Sequence, residues 1–221
     1  MATYIGDGGA NTLTGTEVDD LLQGLGGDDI LNGKGGADTL EGDNDTLTES
    51  GGDDILDGGD GDDSLVGGSG NDTLIGGGGN DIFKGGNGND VFLSAGLDQG
   101  SYTVNGGSGN DTILGSAGDD VIGLAKFSGG NTVEVIDGNG RFNIIRGDAN
   151  NNTLNFLATT LIDIDRMERA KGNDNITGST AADTLSSDGT EAIVDLGGND
   201  DLLVLFWGWK PLYDGDVSAD L

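Results

Sequence analysis

The sequence predicts an all-β solenoid of short strands stacked coil upon coil. Three observations support this: a nine-residue period, glycine crowding one part of each period, and an aliphatic residue fixed in the other. From Gly6 the chain reads in steps with Gly first, Asp sixth and an aliphatic residue eighth, as in GLGGDDILN from Gly24, GGDGDDSLV from Gly58, GGSGNDTLI from Gly67 and GGNGNDVFL from Gly85. The register holds over most of the first 120 residues.

Each step divides into a turn and a strand. In GGSGNDTLI, Gly67, Gly68 and Gly70 have access to left-handed conformations that side chains forbid, so six residues close a tight turn. Thr73, Leu74 and Ile75 then make a strand whose middle side chain points to one face. Leu31, Leu40, Leu56, Leu65, Leu74, Phe83, Phe92, Ile113 and Ile122 fall at that middle position and are expected to stack as two inward ladders forming a thin core.

Two places break the register. A longer step from Gly42 carries about seven extra residues around 43–50, and a break over 94–105 offers an extra half-coil through Tyr102, Thr103 and Val104. Between Leu124 and Arg146 the pattern loosens to strand-like alternation in 132–136 and 142–146, without the Asp step. Degenerate steps return as GDANNNTLN from Gly147, KGNDNIT from Lys171, GSTAADTLS from Gly178 and LGGNDDLLV from Leu196. The end differs in composition: Trp207, Trp209, Leu212 and Tyr213 read as a hydrophobic cap, because the end face of a solenoid is a row of unpaired strand edges that must be covered or mated.

Charge limits the chemistry. The 221 residues include 46 Gly, 34 Asp, 6 Glu and 9 basic residues, for a net charge of −31. Nucleic acid and anionic membrane, which bind through Lys and Arg, are excluded as partners, and a cation is the natural counter-charge. With no Cys and no His there are no disulfides, thiolate or imidazole metal sites, Cys nucleophiles or His bases. Oxygen ligation remains, which suits hard ions such as Ca²⁺ or Mg²⁺. Residues 1–5 have neither the basic nor the apolar region of a cleavable signal peptide, and no apolar run is long enough to span a bilayer.

The steps resemble the hemolysin-type calcium-binding repeat of RTX proteins, G-G-x-G-x-D-x-U-x, well over residues 6–123 and loosely over 147–203. The resemblance implies a right-handed parallel β-roll with two steps per coil and Ca²⁺ between successive Gly/Asp turns along both edges. Residues 1–123 would be the regular calcium-binding roll, and 124–221 degenerate coils with a C-terminal cap, in one continuous domain of about twelve coils. The metal ligands would be the sixth-position residues Asp20, Asp29, Asp38, Asp54, Asp63, Asp72, Asp81, Asp90, Asp111, Asp120, Asp174, Asp183 and Asp200, together with turn carbonyls, for roughly six to ten Ca²⁺ ions. If consecutive steps alternate between edges, Asp20, Asp38, Asp63 and Asp81 line one edge, and Asp29, Asp54, Asp72 and Asp90 the other.

Other readings account for less. Asp is a favoured turn residue, but stacked carboxylates without cations would repel in rows. The fifth-position acids Asp19, Asp28, Asp53, Asp62 and Asp119 read as solvated surface, as do Arg166, Glu168 and Arg169. Asn11 and Asn152 at the sixth position mark turns that bind weakly or not at all. The stretch from Asp214 lacks the Gly and the length of an EF-hand loop, and Gly33-Lys34 lacks a phosphate-loop context. Only Thr180 places Thr at the third position, so there is no flat Thr row for ice, and no nucleophile and base pair can be assembled, so no enzyme is expected.

The expected function is that of a calcium-binding protein that folds on Ca²⁺ outside the cell. RTX proteins typically leave Gram-negative cells by type I secretion, which implies a secreted, extracellular or cell-surface location; the end of the chain from Asp216 only faintly resembles such a secretion signal. Because repeats begin at Gly6, a structural component that assembles with itself end to end in a surface, matrix or filament is favoured. The alternative is a C-terminal secretion and folding module of a larger toxin, adhesin or exoenzyme.

Overall fold

The computed structural model describes residues 1–26, 29–36, 38–42, 46–94, 100–128, 130–140, 142–168, 175–181, 184–187, 194–195, 202–207 and 210–215. These residues form strands and turns, and among them no helix is long and apolar enough to cross a membrane. The architecture is a parallel β-solenoid consistent with a β-roll. Nine strands from Thr3–Ile5 to Thr160–Ile162 form one sheet, and twelve from Thr12–Thr14 to Lys210–Gly215 form a second. Thr153–Asn155, Asn175–Thr177 and Val194–Asp195 form a third.

Strand follows turn because each step carries its own signals. At the second and fourth positions glycine supplies a left-handed backbone, with φ 102° at Gly68 and 142° at Gly70. The strand residues that follow alternate out, in, out, and the inward residues stack: Leu56 pairs with Leu74 and Leu74 with Phe92 in the first sheet, Leu47 with Leu65 and Leu65 with Phe83 in the second. Every side chain expected at the inward position is at most 1% exposed. Phe83 packs against Phe92 and Tyr102 with ring centroids 5.7 and 5.3 Å apart.

The two irregular places resolve differently. The segment after Gly42 supplies a strand of its own, Thr46–Gly51, with Leu47 buried between Leu31 and Leu65. It is therefore a short half-coil rather than an elongated step, and the coil from Leu40 to Leu56 is slightly shorter than those that follow it. The break before Asn105 yields the expected half-coil: Tyr102–Ser108 lies on Ile82–Asn87, with Val104 against Phe83.

Past Asp120 the cross-section changes. The chain now visits all three sheets per coil, and the coils lengthen, with Ile113 paired to Ile136, Ile122 to Ile145 and, in the longest step, Phe127 bridged to Leu154. The third side encloses a larger core in which Phe127 and Phe156 stack at 5.1 Å, with Leu154 and Ile176 buried beside them. The first sheet ends at Thr160–Ile162, and the last coils alternate between the second and third sheets and return to the spacing of the regular roll, with Met167 paired to Leu185 and Ile176 to Val194. Among the described residues the solenoid makes about nine turns, where twelve coils are expected. At the C-terminal end the expected cap region has the backbone of an antiparallel hairpin, Leu202–Trp207 with Lys210–Gly215. Trp209 lies outside the described residues.

Candidate metal centre

The sixth-position side chains are built into the turns rather than exposed on them. Asp20, Asp29, Asp38, Asp54, Asp63, Asp72, Asp81, Asp90, Asp111 and Asp120 are all at most 2% exposed. Along each edge one carboxylate oxygen accepts the backbone N–H of the corresponding residue one coil earlier. Asp38 N–H donates to Asp54 Oδ1 at 2.6 Å, Asp54 to Asp72 at 3.0 Å, Asp72 to Asp90 at 2.9 Å and Asp90 to Asp111 at 2.9 Å.

This ladder, with the strand order, corrects the expected edge assignment. One edge carries Asp20, Asp38, Asp54, Asp72, Asp90 and Asp111; the other carries Asp29, Asp63, Asp81 and Asp120. The half-coil through Leu47 shifts every later step to the opposite edge. Asp174, Asp183 and Asp200 lie outside the described residues.

The second carboxylate oxygen decides the chemistry. At Asp54, Asp72, Asp81, Asp90 and Asp111, Oδ2 is buried and accepts no hydrogen bond. Burial, aided for most of them by neighbouring carboxylates, pushes these groups up, to about 7 for Asp72 and about 6 for Asp54, Asp81 and Asp111. The first Asp on the same edge is held differently. The Thr16 hydroxyl and N–H both donate to Asp20 Oδ2 at 2.7 Å, and bonds from Ala2 N–H and Thr16 hold its carboxyl below the usual range. Ser116 likewise donates to Asp120 through both its N–H and its hydroxyl.

The first glycine of each step leaves the space into which Oδ2 points. A Cβ on Gly85 would meet Asp90 Oδ2 and lie 2.6 Å from the Gly106 carbonyl oxygen; on Gly106 it would meet Asp111 Oδ2 and the Thr132 carbonyl oxygen. A carboxylate of one coil and a carbonyl of the next thus converge on one small space, and two acceptors facing each other call for a cation. Gly67 belongs to this set: it is needed for room beside Asp72, while Gly68 and Gly70 carry the positive φ. Among the described residues no three carboxylates converge on one point, so an ion here would draw on turn carbonyls as well. The donor set fits Ca²⁺, which accepts six to eight oxygens in adaptable geometry.

A family model of the RTX calcium-binding nonapeptide repeat matches residues 5–40, 41–74, 57–92, 103–123 and 128–158. The chain belongs to this family. No curated protein and no solved structure matches it. As an RTX protein it is a Ca²⁺-binding β-roll.

The RTX match over 128–158 covers a stretch where the pattern is expected to loosen, and the ladder explains why. Glu134 stands sixth in GGNTVEVID from Gly129, and its Oε2 accepts Asp111 N–H at 2.8 Å. Asn143 stands sixth in GNGRFNIIR from Gly138 and accepts Asp120 N–H at 3.1 Å, and Asp165 Oδ2 in turn accepts Asn143 N–H at 2.7 Å. Sequence reading missed these three; counting nine-residue steps back from Gly147 finds Glu134 and Asn143. Asn11 accepts its own turn's Asp7 N–H, and Asn152 donates to Ala125 O at 2.9 Å and Asp148 Oδ1 at 2.7 Å.

Of the fifth-position acids, Asp19, Asp53, Asp62 and Asp119 are exposed, as expected, and Asp28 lies outside the described residues; those in the middle of the roll are nonetheless ordered. Asp53 Oδ1 accepts Asn71 N–H at 2.7 Å, Asn71 Oδ1 accepts Asn89 N–H at 2.9 Å, and Asn89 Oδ1 accepts Asn110 N–H at 2.8 Å. This outer ladder runs in the opposite sense to the buried one. Arg166 and Glu168 likewise form a network rather than separate surface charges: Glu168 bridges Arg146 at 2.8 Å and Arg166, whose guanidinium lies 4.8 Å from the Phe142 ring centre. Arg169 lies outside the described residues.

Proposed function

We propose that calcium drives the folding of this chain outside the cell, and that the folded rod serves as a non-catalytic structural component that assembles end to end. The buried Oδ2 atoms of Asp54, Asp72, Asp81, Asp90 and Asp111, which accept no hydrogen bond, carry the reading. A buried charge without a partner costs several kcal/mol, roughly, so five in the roll oppose its folding until a cation neutralises them. Low cytosolic calcium would keep such a chain expanded for export, and the higher calcium outside would close it, making ion binding and folding one event.

Among the described residues Thr3–Ile5 and Thr12–Thr14 pair on one side only, and an unpaired strand edge is where a further coil or a second copy of the roll would add. Light scattering after size exclusion tests both parts: with calcium the chain should be compact and rise above its 22.2 kDa mass with concentration. A compact monomer at all concentrations would remove the assembly claim, and a compact chain in chelator would remove the folding claim.

A further inference from the structure

We infer that the three-sided segment, residues 124–177, folds without calcium, and that Asn143 interrupts the ion array on its edge by placing an amide nitrogen where the Asp steps leave room for a cation. The inference rests on the calcium-driven folding proposed above and divides the chain into a part that needs the ion and a part that does not.

Three independent observations carry it. The first is the turn itself. At Gly115 the space a Cβ would fill faces Asp120 Oδ2 and the Gly138 carbonyl oxygen. At Gly138, one coil on, the same space faces Asn143 Nδ2 and the Asp163 carbonyl oxygen, and Nδ2 donates to that carbonyl at 3.0 Å. An amide presents a donor on one side and an acceptor on the other, so Asn143 keeps the ladder bond from Asp120 N–H through Oδ1 and satisfies the facing carbonyl through Nδ2. No cation is needed there. On the other edge the carboxylates end at Glu134, and at the next coil the Thr159 hydroxyl donates to Val133 O at 3.0 Å.

Charge is the second. Residues 1–123 hold 24 acidic residues against Lys34 and Lys84. Residues 124–177 hold seven acidic and six basic residues and are close to neutral. The self-repulsion that opposes folding of the roll is largely absent from this segment. Within it Glu168, despite its burial, is held below the usual carboxylate range by the guanidinium groups of Arg146 and Arg166.

Core size is the third. The roll closes over two single-file ladders, whereas the three-sided coils bury Phe127, Val133, Ile136, Ile145, Leu154 and Phe156 around one axis. Burial on that scale favours folding without help from ions.

Hydrogen exchange read by mass spectrometry on the full chain, in calcium and in chelator, tests this. In chelator, amides of 143–146, 153–156 and 166–168 should stay protected while those of 55–57, 64–66 and 73–75 exchange at the rate of an unfolded chain; calcium should protect both. Equal loss of protection in both regions on chelation would overturn the inference and leave calcium-driven folding standing. Equal protection in both regions without calcium would overturn the calcium-driven folding itself. Asn143→Asp should raise bound calcium by one ion per chain and lower chelator protection at 143–146 at least tenfold, recovered with calcium. Unchanged stoichiometry together with unchanged protection would refute the role given to Asn143.

Discussion

The two-sided roll and the three-sided segment solve one problem, stacking turns, in two ways. In the roll a step is nine residues, the core is one side chain wide, and the buried Asp residues spend one oxygen on the ladder, while Oδ2 of Asp54, Asp72, Asp81, Asp90 and Asp111 accepts no hydrogen bond. In the three-sided segment the coils are longer, an aromatic pair fills the axis, and an amide or hydroxyl takes the place of the second carboxylate oxygen. A thin core is viable only if something else holds the turns together, which under the proposed function is the ion, whereas in the thicker part Asn143 and Thr159 satisfy the facing carbonyls themselves.

The largest effect is expected at the aromatic pair of the three-sided segment. Phe156→Ala should cost about 3–5 kcal/mol of the three-sided segment's stability, by guanidinium unfolding, with the loss present in chelator as well as in calcium. A loss visible only with calcium would mean that the segment is as ion-dependent as the roll.

Backbone strain gives the next effect. A Cβ on Gly79 would meet the Gly61 carbonyl at φ 139°, so Gly79→Ala should cost about 1–3 kcal/mol in calcium. Gly130→Ala, with nothing within 4 Å of the added carbon, should be near neutral. Similar losses at both positions would show that turn stacking in the roll is looser than its geometry.

Substitutions at Asp72 sharpen the contrast between charge and shape. Asp72→Ala leaves the buried Asp54 N–H without its acceptor, a loss of about 1–3 kcal/mol, and should raise the calcium midpoint in a circular dichroism titration. Asp72→Asn keeps that acceptor and mimics Asn143: it should bind fewer ions yet hold more β-structure in chelator than Asp72→Ala. Identical behaviour of the two would contradict the account of the amide.

Acid offers a milder substitute for calcium. Without ions, Asp54, Asp72, Asp81 and Asp111 have folded values of about 6 to 7 against an ordinary 3.8, so the folded roll binds protons more tightly than the unfolded chain. Its stability is then greatest below pH 4 and is lost as pH rises through 6 to 7. In chelator, acidification from pH 8 to 5 should therefore increase the far-ultraviolet β signal; a decrease would show that these carboxylates are not buried without the ion.

The roll was legible in the sequence because its determinants are local. Gly68, Gly70, Asp72 and Leu74 each act at a fixed place in the repeat, and each lies where the period puts it. The edge assignment was not, because it depends on counting half-coils: Thr46–Gly51 keeps the strand but lacks the Gly-rich turn that announces one. The third side was illegible for another reason. Widening the coil needs only a short insertion between strands, and nothing local to Phe127 or Phe156 says that these rings will meet from one coil to the next. Glu134 and Asn143 hid in the same way, since the period allowed them but the residue type did not match.

Completion of the fold by the ion can be followed in a calcium titration of the full chain at neutral pH, read by far-ultraviolet circular dichroism. The predicted result is a partial β signal in chelator, from the three-sided segment, rising cooperatively to the full β spectrum as calcium fills the roll. A full β spectrum in excess chelator, unchanged by calcium, would contradict it.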